Sequence, residues 1–262
     1  MSGVSSSTME NEADDTRPIP VPGAGDGSGD TGGVRKPPRR RRPSALTLIG
    51  VVLLVAGLSC LGWVGYQYFG TNVVSEKAFQ SERDRLVDKW TEEEKSDPKN
   101  NKNKNENNQK KETVIPGAAI ALLRIPAFGE NYEIPILNGT ELATLSKGVG
   151  HYSSTAQPGQ IGNFAVAGHR VTHGQPFARM LELDKGDKII VETRRAIYTY
   201  VLDESPRRMT VKDTDTWVLH PVPGKPDTKP TEPLITLTTC QDLFHSPDRS
   251  IGFGHLESTQ NK

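Results

Sequence analysis

The chain holds 262 residues, with 32 basic and 32 acidic side chains, a formal charge of zero and 34 % hydrophobic residues. That balance excludes the broad basic surface by which nucleic acid is held, and no glycine-rich phosphate loop is present. The averages conceal three unlike regions.

Residues 1–43 are built from Gly, Ser, Pro, Asp and Glu with almost no large apolar groups, so they bury too little surface to offset ordering entropy. They are expected to form a disordered cytoplasmic tail ending in R-K-P-P-R-R-R-R-P, Arg35 to Pro43. The uncharged run Ala45 to Tyr66 follows. As a helix it reaches roughly 33 Å, enough for a ~30 Å hydrocarbon core. Trp63, Tyr66 and Tyr68 stand at its far end, where aromatic rings favour the membrane interface, and the arginines before it set the N-terminus inside. A transmembrane anchor over 44–68 is expected. The run exceeds a signal-peptide core, and although G-L-S-C ending at Cys60 resembles a lipoprotein processing box, Gly57 replaces the usual Leu. An uncleaved anchor with all later residues outside is the better reading.

The only other cysteine, Cys240, then lies far from the bilayer and cannot pair with Cys60. An unpaired extracellular thiol is either a reactive group or a small buried hydrophobe.

Residues 69–112 read as a juxtamembrane helix and a low-complexity tether. Phe79, Leu86, Val87 and Trp90 fall at helical spacing within Thr71–Ser96, whereas Asp97 to Glu112 is apolar-free and reads as a solvated spacer. Residues 113–257 form the globular domain, with 258–262 as a short tail. Eight apolar runs separated by Gly and Pro turns are expected as strands: 119–126, 132–137, 162–168, 188–193, 196–202, 216–222, 234–239 and 250–256. Short helices are expected around Glu141–Lys147 and Pro176–Leu183. Many short strands argue for a sandwich or closed barrel, so the fold is mostly β.

Covalent catalysis by a thiol needs a base or cation beside it and a donor for the oxyanion formed on attack. Six histidines are available. His169 ends the strand N-F-A-V-A-G, and Cys240 ends L-I-T-L-T-T in the same manner, so both can meet on one barrel rim. Arg249 begins the last strand and returns beside Cys240. It stays protonated, so it donates hydrogen bonds or holds a peptide instead of acting as a base. A zinc site is the competing use of Cys and His. His169 and His173 have i, i+4 spacing, but Gly174 and Pro176 crowd the segment and no Glu lies between them. No metal or cofactor is expected.

G-H-Y-S-S-T-A-Q-P-G-Q-I-G-N-F-A-V-A-G-H-R (Gly150 to Arg170), T-L-T-T-C (Thr236 to Cys240) and R-S-I-G-F-G-H-L (Arg249 to Leu256), in that order, resemble the sortases, membrane-anchored cysteine transpeptidases of Gram-positive bacteria. H-R-V-T-H-G and T-L-T-T-C look most like the actinobacterial housekeeping type called class E. The resemblance implies a closed eight-stranded β-barrel with short helices behind one transmembrane helix. It also implies a catalytic set of His169, Cys240 and Arg249. Its implied substrate contacts are His173, Thr238 and Thr239. The implied partners are surface proteins bearing a Leu-Pro/Ala-x-Thr-Gly-like sorting signal and the amine of a peptidoglycan precursor.

Three stretches stand out against the family pattern. His173 stands where many members carry Tyr, Ser153-Ser154 replace a usual Pro-Gly, and Gln241-Asp242 follow the nucleophile. The first leaves open whether the sorting motif begins Leu-Pro or Leu-Ala. Two alternatives stand beside the housekeeping enzyme. One is a pilin-polymerising sortase, disfavoured because no second membrane span is expected before Lys262. The other is a non-catalytic membrane-tethered binding module on the same barrel.

Overall fold

The computed structural model describes residues 43–96, 115–240 and 246–262, without the side chains of Ser96 and Cys240. The tail up to residue 42, the tether at 97–112, Gln241-Asp242 and His245 lie outside the described residues.

The chain divides into Met1–Ile49 and Gly50–Lys262. In the first unit, the Ser44 hydroxyl accepts the Thr47 N–H at 3.2 Å, an N-cap that starts helix α1, Ala45–Gly65. No α1 residue is buried, although its composition is almost wholly apolar. The helical run Ala45–Lys95 is the one helix among the described residues long and apolar enough to cross a membrane.

In the second unit the strands are β1 Ala119–Arg124, β2 Ile134–Asn138, β3 Val149–His151, β4 Gly162–Gly168, β5 Lys188–Glu192, β6 Ala196–Glu204, β7 Thr210–Lys212, β8 Pro233–Cys240 and β9 Asp248–Asn261. Eight of them pair in the order β6-β5-β1-β2-β3-β4-β8-β9, and β9 pairs back onto β6, closing the expected eight-stranded barrel. Closure leaves no open edge in the ring. β7 attaches to β9 outside it. The β2–β3 and β4–β8 pairs are parallel, and all other pairs are antiparallel.

Inward residues fill the barrel: Leu123, Ile136, Phe164, Val166, Tyr200, Ile235 and Leu237 are almost fully buried, with Phe177 and Met180 capping one end. The buried Tyr200 hydroxyl accepts the Gly159 N–H at 2.7 Å, so its polar tip is satisfied. Burial leaves this phenol reluctant to ionise, raising it above its ordinary range. Every residue of β4 is buried, the pattern of a strand covered on both faces.

That outer cover is the stretch expected as a strand at 216–222. It is a 3-10 turn, Thr216–Leu219, instead. Val218 packs with Val211 and Ile251, and Asn163 Nδ2 donates to the carbonyls of Val218 and His220 at 3.0 and 3.2 Å. A side-chain amide therefore satisfies carbonyls that a strand would have given to a neighbour. The three-residue strands β3 and β7 were not expected. β9 runs to Asn261 along Ala196–Thr199 of β6, past the expected domain end at 257. The short helix α3 forms at Leu142–Leu145, while Pro176–Leu183 contains only a 3-10 turn at Met180–Glu182.

Helix α2, Thr71–Ser96, follows α1 through a π turn, Tyr66–Gly70. It forms as its periodicity predicts, and its apolar face packs on the barrel. Phe79 and Leu86 are 5 % and 4 % exposed. Arg83 pairs with Glu133, which also holds Arg124, and Arg124 pairs with Glu192. Lys262 pairs with Glu192 at 2.6 Å and lies 4.9 Å over the Trp90 ring. Half-exposed pairs of this kind contribute little individually, so the two buried side chains, worth about 1.5–3 kcal/mol each, dominate the docking. Phe79→Ala is expected to raise amide exchange across α2 about a hundredfold while core-strand amides keep their protection. Unchanged α2 protection would show that the helix docks without Phe79.

Candidate active site

Strands β4 and β8 run parallel with Gly168 opposite Thr239, so both chains leave the sheet at the same rim. β9 starts at that rim, antiparallel to β8, with Arg249 opposite Cys240. Neighbouring strands lie about 4.8 Å apart. His169, one residue beyond Gly168, and Arg249 therefore flank Cys240 from adjacent strands, and the three predicted groups share one rim of the barrel. The backbone alone places Cys240, since its thiol lies outside the described side chains.

The strand ends are fixed locally. The Thr239 hydroxyl donates to Gly168 O at 2.7 Å and is buried, so this predicted substrate contact ties β8 to β4. Phe177 N donates to His169 O at 2.9 Å, folding the following loop back over the histidine. A Cβ at Gly168 would lie 2.6 Å from the Phe177 ring, so only glycine allows that closeness.

The His169 side chain is half-buried, and its buried Nε2 finds no hydrogen-bond partner among the described residues. The His173 ring stacks on it, centroids 4.7 Å apart and planes 24° off parallel. Burial, reinforced by repulsion from a charged His173, pushes His169 down to about 4. Burial also lowers His173. Both rings are thus neutral near pH 7.

Arg249 is held by carbonyls: its Nη1 donates to Ser246 O at 2.5 Å and to Asp248 O at 3.1 Å. Nη2 lies 3.6 Å from Asp213 Oδ2. The side chain keeps 27 % of its surface exposed. Beside it a cavity of about 210 Å³ is lined by Tyr152, Val218, Leu219, Thr238 and Arg249 among others. Thr238 is therefore at the cavity wall. No cluster of His, Cys, Asp and Glu among the described residues is arranged to hold a metal ion.

Sequence reasoning missed Asp213, the turn carrying Val218 and Leu219, and the contact of α2 with the His173 loop. Asp213 carried no signal, since nothing local marks the partner of Arg249. The 216–222 run did carry one: Pro221 and its short length argue against a strand inside a sheet.

The family model for the sortase domain matches residues 123–257. The chain is 32 % identical over 233 residues to Sortase SrtE1 of Streptomyces coelicolor, an alignment covering 85 % of this chain and 61 % of that relative's length. It is 32 % identical to Sortase D of Bacillus subtilis, covering 79 % of this chain and 96 % of that one. Among solved structures, sortase E from Streptomyces avermitilis superposes with a TM-score of 0.51 at 40 % identity, covering 56 % of this chain and 93 % of that one. A match over half the chain, a barrel closed through β6 and β9, and motifs on its β4, β8 and β9 strands lead to one conclusion: the chain belongs to the sortase family.

Proposed function

We propose that this protein is a membrane-anchored cysteine transpeptidase. It cleaves a C-terminal sorting signal between Thr and Gly and joins the released acyl group to the amine of a cell-wall precursor. The observation that carries the reading is the strand register, Gly168 opposite Thr239 and Cys240 opposite Arg249. Helix α1 anchors the chain with its N-terminus in the cytoplasm and the barrel outside.

The chemistry follows from those positions. The Cys240 thiolate attacks the threonine carbonyl carbon and forms a C–S bond. The carbonyl oxygen becomes an oxyanion, toward which Arg249, tied by Ser246 O and Asp248 O, directs its remaining donors. Collapse breaks the C–N bond, and the leaving glycine amine takes a proton from His169. The acceptor amine then attacks the thioester, gives its proton back to His169 and expels the thiolate. Atoms and protons balance over the cycle.

A half-buried imidazole suits this task. Its low proton affinity makes the imidazolium a strong acid once the thiol's proton has reached it, so it readily protonates the leaving amine. The cavity beside Thr238 and Arg249, with its Val218 and Leu219 wall, supports binding of an apolar residue of the sorting motif, whether Leu-Pro or Leu-Ala.

Cys240→Ala in the full-length protein in nanodiscs is expected to abolish turnover of a fluorogenic sorting peptide, by about a thousandfold or more, without loss of folding. Full activity in that variant would overturn the reading. Arg249→Lys keeps the charge but loses the fork, and kcat should fall about 10- to 100-fold. His173→Phe keeps the ring stack and removes its charge. The acid limb of the pH–rate profile should move to higher pH, yet stay below the ordinary imidazole range because burial, the larger cause, is untouched. An unmoved limb would exclude the coupling between the two rings.

A further inference from the structure

We infer that Asn72, in the first turn of the helix that follows the membrane segment, is a positioning residue for His169, acting through the loop that carries His173. The inference rests on the functional reading above for the role of His169, and on separate geometry for the role of Asn72.

The Asn72 side chain is fixed at both ends. Its Nδ2 donates to Tyr68 O at 2.7 Å, within its own helix. Its Oδ1 accepts the Gly174 N–H at 2.8 Å, 102 residues away in sequence. Thr71 repeats the arrangement more loosely: its hydroxyl donates to Gln67 O at 2.5 Å and accepts the His173 N–H at 3.5 Å. Phe79, two turns further on, seats its ring against Gly174, where an added Cβ would lie 2.6 Å from it.

The loop needs such partners. His173, Gly174 and Gln175 have φ of 54, 76 and 49°, three consecutive residues in the left-handed region, two of them not glycine. That conformation is disfavoured for L-residues and persists only where surrounding contacts over-determine it. Barrel residues hold the far side: Tyr132 donates to Pro176 O at 2.6 Å, and Phe177 N donates to His169 O. On the near side, the His173 and Gly174 amides donate to Thr71 and Asn72 of α2. His173 in turn stacks on His169 at 4.7 Å. A shift of the loop therefore moves the ring that bounds the catalytic imidazole. Asn72 touches neither substrate nor the reacting atoms, so its effect is on alignment.

The distance to the bilayer gives this contact its consequence. Asn72 lies six positions after Tyr66, or about 9 Å along the helix. The loop that orients His169 is thus gripped by the first helical turn beyond the membrane interface, and the tether at 97–112 comes only later in the chain.

The test compares Asn72→Leu, which removes the acceptor, with Asn72→Asp, which keeps the acceptor for the Gly174 N–H and gives up only the donor to Tyr68 O within α2's own helix, in the full chain in nanodiscs. Each variant is assayed at its own pH optimum. Asn72→Leu should lower kcat for peptide transfer about tenfold or more while KM stays within about threefold, and Asn72→Asp should keep kcat near the parent value. Wild-type kcat in Asn72→Leu, or equal loss in both variants, would overturn the inference. Amide exchange in the unmodified protein puts the same question without a variant. Gly174 should be protected together with the α2 amides, and free exchange at Gly174 would overturn the inference as well. Cys240→Ala run alongside separates the two readings: activity without the thiol removes the enzymatic assignment, whereas an inert Cys240→Ala beside a fully active Asn72→Leu removes only the role of Asn72.

Discussion

The ladder shared by β4, β8 and β9 sets where everything else can be. Two parallel strands end together because Gly168 faces Thr239, and the antiparallel return of β9 brings Arg249 opposite Cys240. A slip of one residue in either pairing would turn alternate side chains to the wrong face and separate the three groups. Register of this kind is specified by burial. β4 is buried on both faces, and the Thr236 hydroxyl donates to Asn163 Oδ1 at 2.8 Å, a buried polar link with few other solutions. β9 then pairs with β8, β7 and β6 along its length, so closure of the barrel and alignment of the rim are one event.

Burying an imidazole at that rim has a cost in stability. The unfolded chain takes up a proton on His169 near the ordinary value of about 6.5, whereas the folded chain resists it down to about 4. Stability contributed by the neutral form is therefore present above the unfolded value and lost as pH falls through that window. His151 adds to the same trend, since burial lowers it too, although the Ala156 carbonyl at 3.0 Å opposes the shift. The low proton affinity of His169 thus makes this rim a weak point of the fold in acid.

How much of this was legible in the sequence depended on the range of the interaction. Seven of the eight expected strand runs are strands, because β-branched and aromatic residues between Gly and Pro turns report local backbone preference. β3 was invisible: Val149–His151 is too short for a period, and its pairing with β2 is parallel and non-local. The run at 216–222 misled because its apolar residues serve an outer patch with Val211 and Ile251, and an apolar run alone does not distinguish a strand from a packed turn. The three rim residues were legible as strand ends able to meet on one rim, and the resemblance to a family gave them their expected catalytic roles. The helix at Thr71–Ser96 was legible as a helix. Its docking was not, since the spacing of Phe79 and Leu86 says that one face is apolar without saying what covers it.

The π turn between the two helices makes the rotational phase of α2 a fixed quantity. Thr71 N–H reaches back to Tyr66 O, an i to i+5 bond that accommodates one residue more than an α turn. Each residue added to or taken from a continuous helix rotates all later residues by about 100°. Five residues between the two helices thus act as a keyed coupling: they decide which azimuth of the shaft faces the barrel, so a change in the length of this neck disturbs the docking far more than a change in its composition.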